Sequence, residues 1–160
     1  GELCARIGHP TKVFQTEAQQ DSWTVFTASG KRALDESGCA QRVRLAPKPL
    51  MLLEGFPGVG VVGVGGHTPG SQAIFAAVRP PGGEVRRFVF SGDVTNTIDG
   101  IRDDIPKPLF YRVVVIPEDD DRLGEVRRYL RSLEKSFGFA VAVAHDQRHL
   151  ATLGIPAWGS

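Results

Sequence analysis

Long apolar runs are missing from this 160-residue chain. None approaches the roughly 18 residues that a membrane-spanning helix requires, so no membrane association is expected. Cysteine is scarce: Cys4 and Cys39 are too few for a disulfide framework and are not spaced as a metal-binding pair. Free thiols in a reducing compartment, and hence a cytoplasmic protein, are the expectation. An excess of one charge is missing too. Nineteen Lys and Arg face eighteen Asp and Glu, for a formal net charge of +1. No basic stripe is visible, which speaks against nucleic-acid binding. Arg86-Arg87 and Arg127-Arg128 are expected to lie on solvated faces. There is no charged start followed by an apolar stretch, hence no sign of a secretory leader. The chain opens with Gly1 rather than Met, a start that processing, a removed tag or excision of a fragment would each explain.

What is present is ordinary for a globular domain: 41% hydrophobic and 23% charged residues. The length suits one domain over 1–160 with a core of its own. Lys12 to Thr16 alternates as a strand. Ala18 to Trp23 and Lys31 to Glu36 are helix-permissive. Val43, Leu45, Leu50 and Leu52 suggest strand, confined by Pro47 and Pro49 to an edge or a bend. Val59 to Val64 forms a strand that runs into Gly65-Gly66-His67. Ala73 to Val78 and Val85 to Phe90 form a hairpin about the turn Pro80-Pro81-Gly82-Gly83, and the second arm ends at Ser91-Gly92-Asp93. Residues 93–108 read as loop. Asp119-Asp120-Asp121 then offers N-cap candidates. Leu123, Val126, Leu130, Leu133 and Phe137 follow at helical spacing, and Gly138 is a suitable stop. Phe139, Val141 and Val143 form a last strand that delivers His145. The fold class read from this order is α/β with a mixed sheet.

His67, Asp93 and His145 thus each follow a different strand, and loops held by a rigid sheet are where sites are built. Pro69 and Gly70 force a tight turn behind His67 and so fix where its imidazole points. Asp146 stands beside His145 as a candidate outer-layer partner of that ring. Taken singly, each residue is as readily a turn or cap residue as a ligand. Taken together, imidazole and carboxylate donors suit zinc, with iron or manganese as alternatives.

The series His67-Thr68-Pro69-Gly70-Ser71, then a strand into Ser91-Gly92-Asp93, then a long helix and a strand into Ala144-His145-Asp146, resembles the C-terminal half of a metallo-β-lactamase-fold hydrolase. The resemblance runs from about Lys12 to near the end. It implies half of a four-layer αββα sandwich, truncated at its N-terminus, in which His67 binds one metal, His145 a second, and Asp93 bridges both. The family's His-x-His-x-Asp-His loop is absent. His9 has no companion ligand, and neither His9 nor His149 fits the family pattern; a surface position is expected for both. Lys107, set between prolines, is expected to be a solvated loop lysine.

The resemblance therefore implies part of a metal-dependent hydrolase that acts on a small-molecule substrate of unknown class, with an incomplete metal site and no activity as an isolated chain. A half-sandwich exposes a sheet face. The expected partner is a polypeptide carrying the missing N-terminal half, or a second copy of this chain in a homodimer. The alternative is a non-catalytic truncated fold that serves as an interaction module.

Overall fold

In a computed structural model of the chain, the structure describes residues 8–18, 38, 40–45 and 50–155. Cys4, Cys39 and most of the two helix-permissive stretches lie outside the described residues. The chain divides into two compact units, Gly1–Pro47 with Thr68–Gly70, and Lys48–His67 with Ser71–Ser160.

In the first unit, β1 (Thr11–Thr16) pairs in parallel with β2 (Ala40–Leu45), Thr11 lying opposite Ala40 and Thr16 opposite Leu45. Arg44 and Glu17 form an exposed ion pair at 2.9 Å.

The second unit is a five-stranded mixed sheet in the order β3 (Met51–Leu52), β4 (Val59–Gly63), β5 (Gln72–Val78), β6 (Arg86–Phe90), β7 (Ala140–Ala142). The stretch around Leu52 is its edge strand, as the flanking prolines suggest. β4, β5 and β6 are successively antiparallel, while β6 and β7 are parallel. It follows that β4, β6 and β7 run in one direction, and their C-terminal ends share one edge of the sheet. These are the strands that precede His67, Asp93 and His145.

Among the described residues three helices accompany the sheet: α1 (Ile98–Arg102), α2 (Asp120–Phe137) and α3 (Gln147–Thr152), with one π-helical turn at Tyr111–Val115. α2 starts and stops where its sequence says it should. Asp119 caps it by accepting from Arg122 N, and Gly138 ends it at φ +66°, a left-handed conformation that glycine adopts without a Cβ clash. Leu123, Val126, Leu130 and Leu133 share a buried cluster with Ala73, Val89 and Val141 of the sheet and with Ile98 and Ile101 of α1. Complete burial of a side chain such as Leu130 stabilises by about 1.5–3 kcal/mol.

Phe137, the last residue of α2, is 62% exposed. Two expectations are corrected. Arg127 is buried rather than solvated: its Nε donates to Asp104 Oδ1 at 2.6 Å. The segment after Asp93 is not plain loop. It contains α1, capped by Thr97, and is held to α2 by arginine contacts: Arg102 with Glu134, Arg127 and Arg128 with Asp104, and Arg131 with the Ile101 carbonyl. The Arg127 guanidinium is the main reason that the Asp104 carboxyl titrates below the usual carboxylate range.

Candidate metal centre

Strand register brings the second and third ligand-type residues together. Phe90 lies opposite Ala142 in the parallel β6–β7 pair, and Asp93 and His145 each follow three residues later. Ser91 N donates to the Ala142 carbonyl at 2.9 Å, so pairing continues past the strands. Equal offsets from a parallel pair leave the two side chains side by side, with His145 Nε2 and Asp93 Oδ1 2.6 Å apart. Both are open to solvent, His145 by 61% and Asp93 by 43% of the side chain.

His67 reaches the same edge from β4 and is held differently. Its ring is 12% exposed, and Nδ1 lies 2.5 Å from Glu118 Oε1, a carboxylate with no exposed surface. Lys107 Nζ donates to the same Glu118 oxygen at 2.6 Å and to the Asp93 carbonyl oxygen at 2.5 Å, and it lies 3.3 Å from His67 Nδ1. One ammonium therefore touches both the His67 ring and the Asp93 main chain. The Lys107 side chain is 2% exposed, the opposite of a solvated loop lysine. Such burial is tolerable because a carboxylate and a carbonyl take its protons.

The backbone supports this placement. Asp119 N donates to Gly66 O at 2.9 Å, and Arg122 Nε donates to Val64 O at 2.8 Å, so the start of α2 grips the turn that carries His67. Gly66, at φ +85°, permits the approach: a Cβ there would meet Leu123 Cγ and Cδ2 at 2.9 Å.

The remaining sequence candidates serve the scaffold. Asp146 accepts from His149 N through Oδ1 and from Ile98 N through Oδ2, each at 3.0 Å. It caps α3 and ties α3 to α1, rather than meeting the ring of His145. The bond from Ile98 N is the main cause of an Asp146 carboxyl held below the ordinary range, with that from His149 N next. His149 is half-buried, with Nε2 2.8 Å from the Val141 carbonyl, so it is not the surface residue expected. His9 is exposed, its Nδ1 beside the Pro10 carbonyl.

The donor types at this edge fit a zinc, iron or manganese ion. Their number does not. Among the described residues no three His, Cys, Asp or Glu side chains come together as a metal site, whereas protein zinc sites take three or four ligands. Sequence reasoning missed Glu118 and Lys107. The isolated pattern Pro106-Lys107-Pro108 was the one visible signal, since a proline on either side restricts the backbone that carries the lysine.

No family model and no curated protein matches the sequence. Solved structures do match. An N-acyl homoserine lactone hydrolase, with N-hexanoyl-L-homoserine bound at its catalytic metal centre, is 14% identical with a TM-score of 0.60 over 94% of this chain. A variant of AiiA from B. thuringiensis, with N-decanoyl-L-homoserine at its active site, is likewise 14% identical with a TM-score of 0.60 over 94% of the chain. A quorum-quenching N-acyl homoserine lactone lactonase is 15% identical over 90%, again at 0.60. The chain spans 52% of the length of each of these proteins. At such identities the likeness shows the fold, which is that of the metallo-β-lactamases.

Proposed function

We propose that this chain supplies part of the active centre of a metal-dependent hydrolase of the metallo-β-lactamase superfamily. The observation that carries this reading is the common sheet edge: three strands of one direction deliver His67, Asp93 and His145 there, Asp93 touches His145, and Glu118 joins His67 to Lys107, which donates to the Asp93 carbonyl. His67, Asp93 and His145 would each contribute a ligand to a centre of one or two ions that needs further donors, zinc first, with iron or manganese as alternatives. A bound metal lowers the pKa of its water from 15.7 to about 7 and so supplies hydroxide at neutral pH. The chain's own contribution is to bind and orient. His67, with Nδ1 engaged by Glu118, offers Nε2 as its ligating nitrogen. Asp93 and His145 offer one carboxylate and one imidazole on an open rim.

The missing ligands come from a polypeptide that supplies the rest of the fold, or from a second copy of the chain. In support, Leu109, Phe110, Val113, Val114 and Val115, near Lys107 and Glu118 in sequence, are each more than half exposed, apolar surface that association would cover. The neighbours bind N-acyl homoserines, so a cyclic ester is the first substrate class to assay. The shortage of ligands favours one other reading, a non-catalytic interaction module.

Titration of the purified chain with zinc, followed by NMR, separates the two. The hydrolase reading expects saturable shifts at His67 and His145 that Asp93→Asn abolishes. It also expects no lactone hydrolysis by the chain alone. Rings that stay unperturbed at millimolar zinc leave the interaction module as the better account.

A further inference from the structure

We propose that Lys107 and Glu118 are positioning residues, a buried clamp that sets which nitrogen His67 presents to the sheet edge and ties the His67 turn to the Asp93 loop. The inference rests on reading His67 as a metal ligand.

Glu118 Oε1 lies 2.5 Å from His67 Nδ1 and 2.6 Å from Lys107 Nζ. An anionic Glu118 that accepts from both places the imidazole proton on Nδ1 and leaves the lone pair on Nε2. That is the arrangement a ligating histidine needs, its second nitrogen donating to a carboxylate. Lys107 has two tasks. It neutralises a carboxylate that has no exposed surface, and it anchors the Asp93 carbonyl at 2.5 Å. The Tyr111 ring, with its centroid 5.2 Å from Nζ, and the flanking prolines confine the ammonium further. Stability alone is a poor reason for this arrangement, since an apolar pair of similar volume commonly replaces a buried ion pair at no loss. Its position is the better reason: one ammonium contacts both the His67 ring and the Asp93 main chain.

The full chain, selectively labelled at the imidazoles, tests this by two-bond nitrogen–proton NMR at pH 8, where an ordinary imidazole is neutral. His67 is expected to show one tautomer, with the proton on Nδ1. The double variant Lys107→Met with Glu118→Leu removes both charges and leaves neither unpaired. In it the His67 ring is expected to lose the single Nδ1–H form, and cobalt(II) affinity to fall about 10–100-fold. Glu118→Gln keeps an acceptor in place and is expected to retain the tautomer. An unchanged tautomer in the double variant overturns the clamp, even where cobalt(II) still binds. A tautomer lost as expected, with cobalt(II) bound by neither form, upholds the clamp and removes the metal reading instead. Should the double variant not fold, the unaltered chain decides by itself: a His67 ring with its proton on Nε2 overturns the proposal.

Discussion

Two imidazole–carboxylate pairs of nearly equal length stand at one sheet edge, 2.5 Å for His67 with Glu118 and 2.6 Å for His145 with Asp93, and their surroundings differ completely. The first pair is walled in and shares an ammonium; the second lies open. Burial makes the first pair rigid and costly to disturb, since a charge stripped of its partner there has no water to turn to. Exposure makes the second pair cheap to form and cheap to break. One side of the edge is therefore built in advance, and the other is free to exchange its hydrogen bond for another ligand.

The sharpest way to break that contrast is Lys107→Met alone. It leaves the Glu118 carboxylate buried, with its Oε2 already lacking a partner among the described residues. The expected cost is about 3–5 kcal/mol of unfolding free energy, measured by urea denaturation. A loss below about 1 kcal/mol would mean that the buried side is no more demanding than the open one.

Much of this edge was legible along the chain. β4 and β6 announce themselves by short apolar runs that end in Gly-containing turns, β7 by a short apolar run that leads into His145, and the Asp119 and Gly138 caps bracket α2 correctly. Those signals are local: a cap acts on the next turn, and alternation acts within a strand. Burial of Lys107 and Arg127 could not be read the same way. Each depends on a carboxylate from another element, Glu118 for one and Asp104 for the other, and a lysine or arginine without sight of its partner reads as solvent-facing. α1 escaped for a related reason. Five residues hold too few turns for periodicity, and Ile98 and Ile101 are drawn in by α2 and the sheet rather than by propensity.

A smaller effect sharpens the boundary between scaffold and site. Asp146 is adjacent to His145, yet its oxygens serve Ile98 N and His149 N. Asp146→Ala is expected to cost about 1 kcal/mol, the usual loss for an N-cap, read as a lowered denaturation midpoint. The sign of its pH dependence follows from the lowered carboxyl. In the unfolded chain this group titrates near its ordinary value, about 3.9. In the folded chain it stays ionised to lower pH. Its contribution is therefore complete above about pH 5 and fades as acid carries the solution down through the folded value. The difference between wild type and Asp146→Ala should shrink over that acid range and hold constant above it.

The smallest expected effect on stability is at the open pair, and it is the most informative about function. His145→Ala removes a contact between two groups exposed by 61% and 43%. Exposed ion pairs contribute about 0–1 kcal/mol at most, so the denaturation midpoint should hardly move. Asp93 keeps its place without His145, because its carbonyl remains bound to Lys107 and Ser91 N remains paired with the Ala142 carbonyl. A residue that adds almost nothing to the fold, yet stands opposite a carboxylate by strand register, is free to act on something outside the chain. Zinc titration of His145→Ala should accordingly lose saturable binding while the chain stays folded. If the variant instead unfolds as Lys107→Met is expected to, the open pair is scaffold, and the contrast between the two sides of the edge disappears.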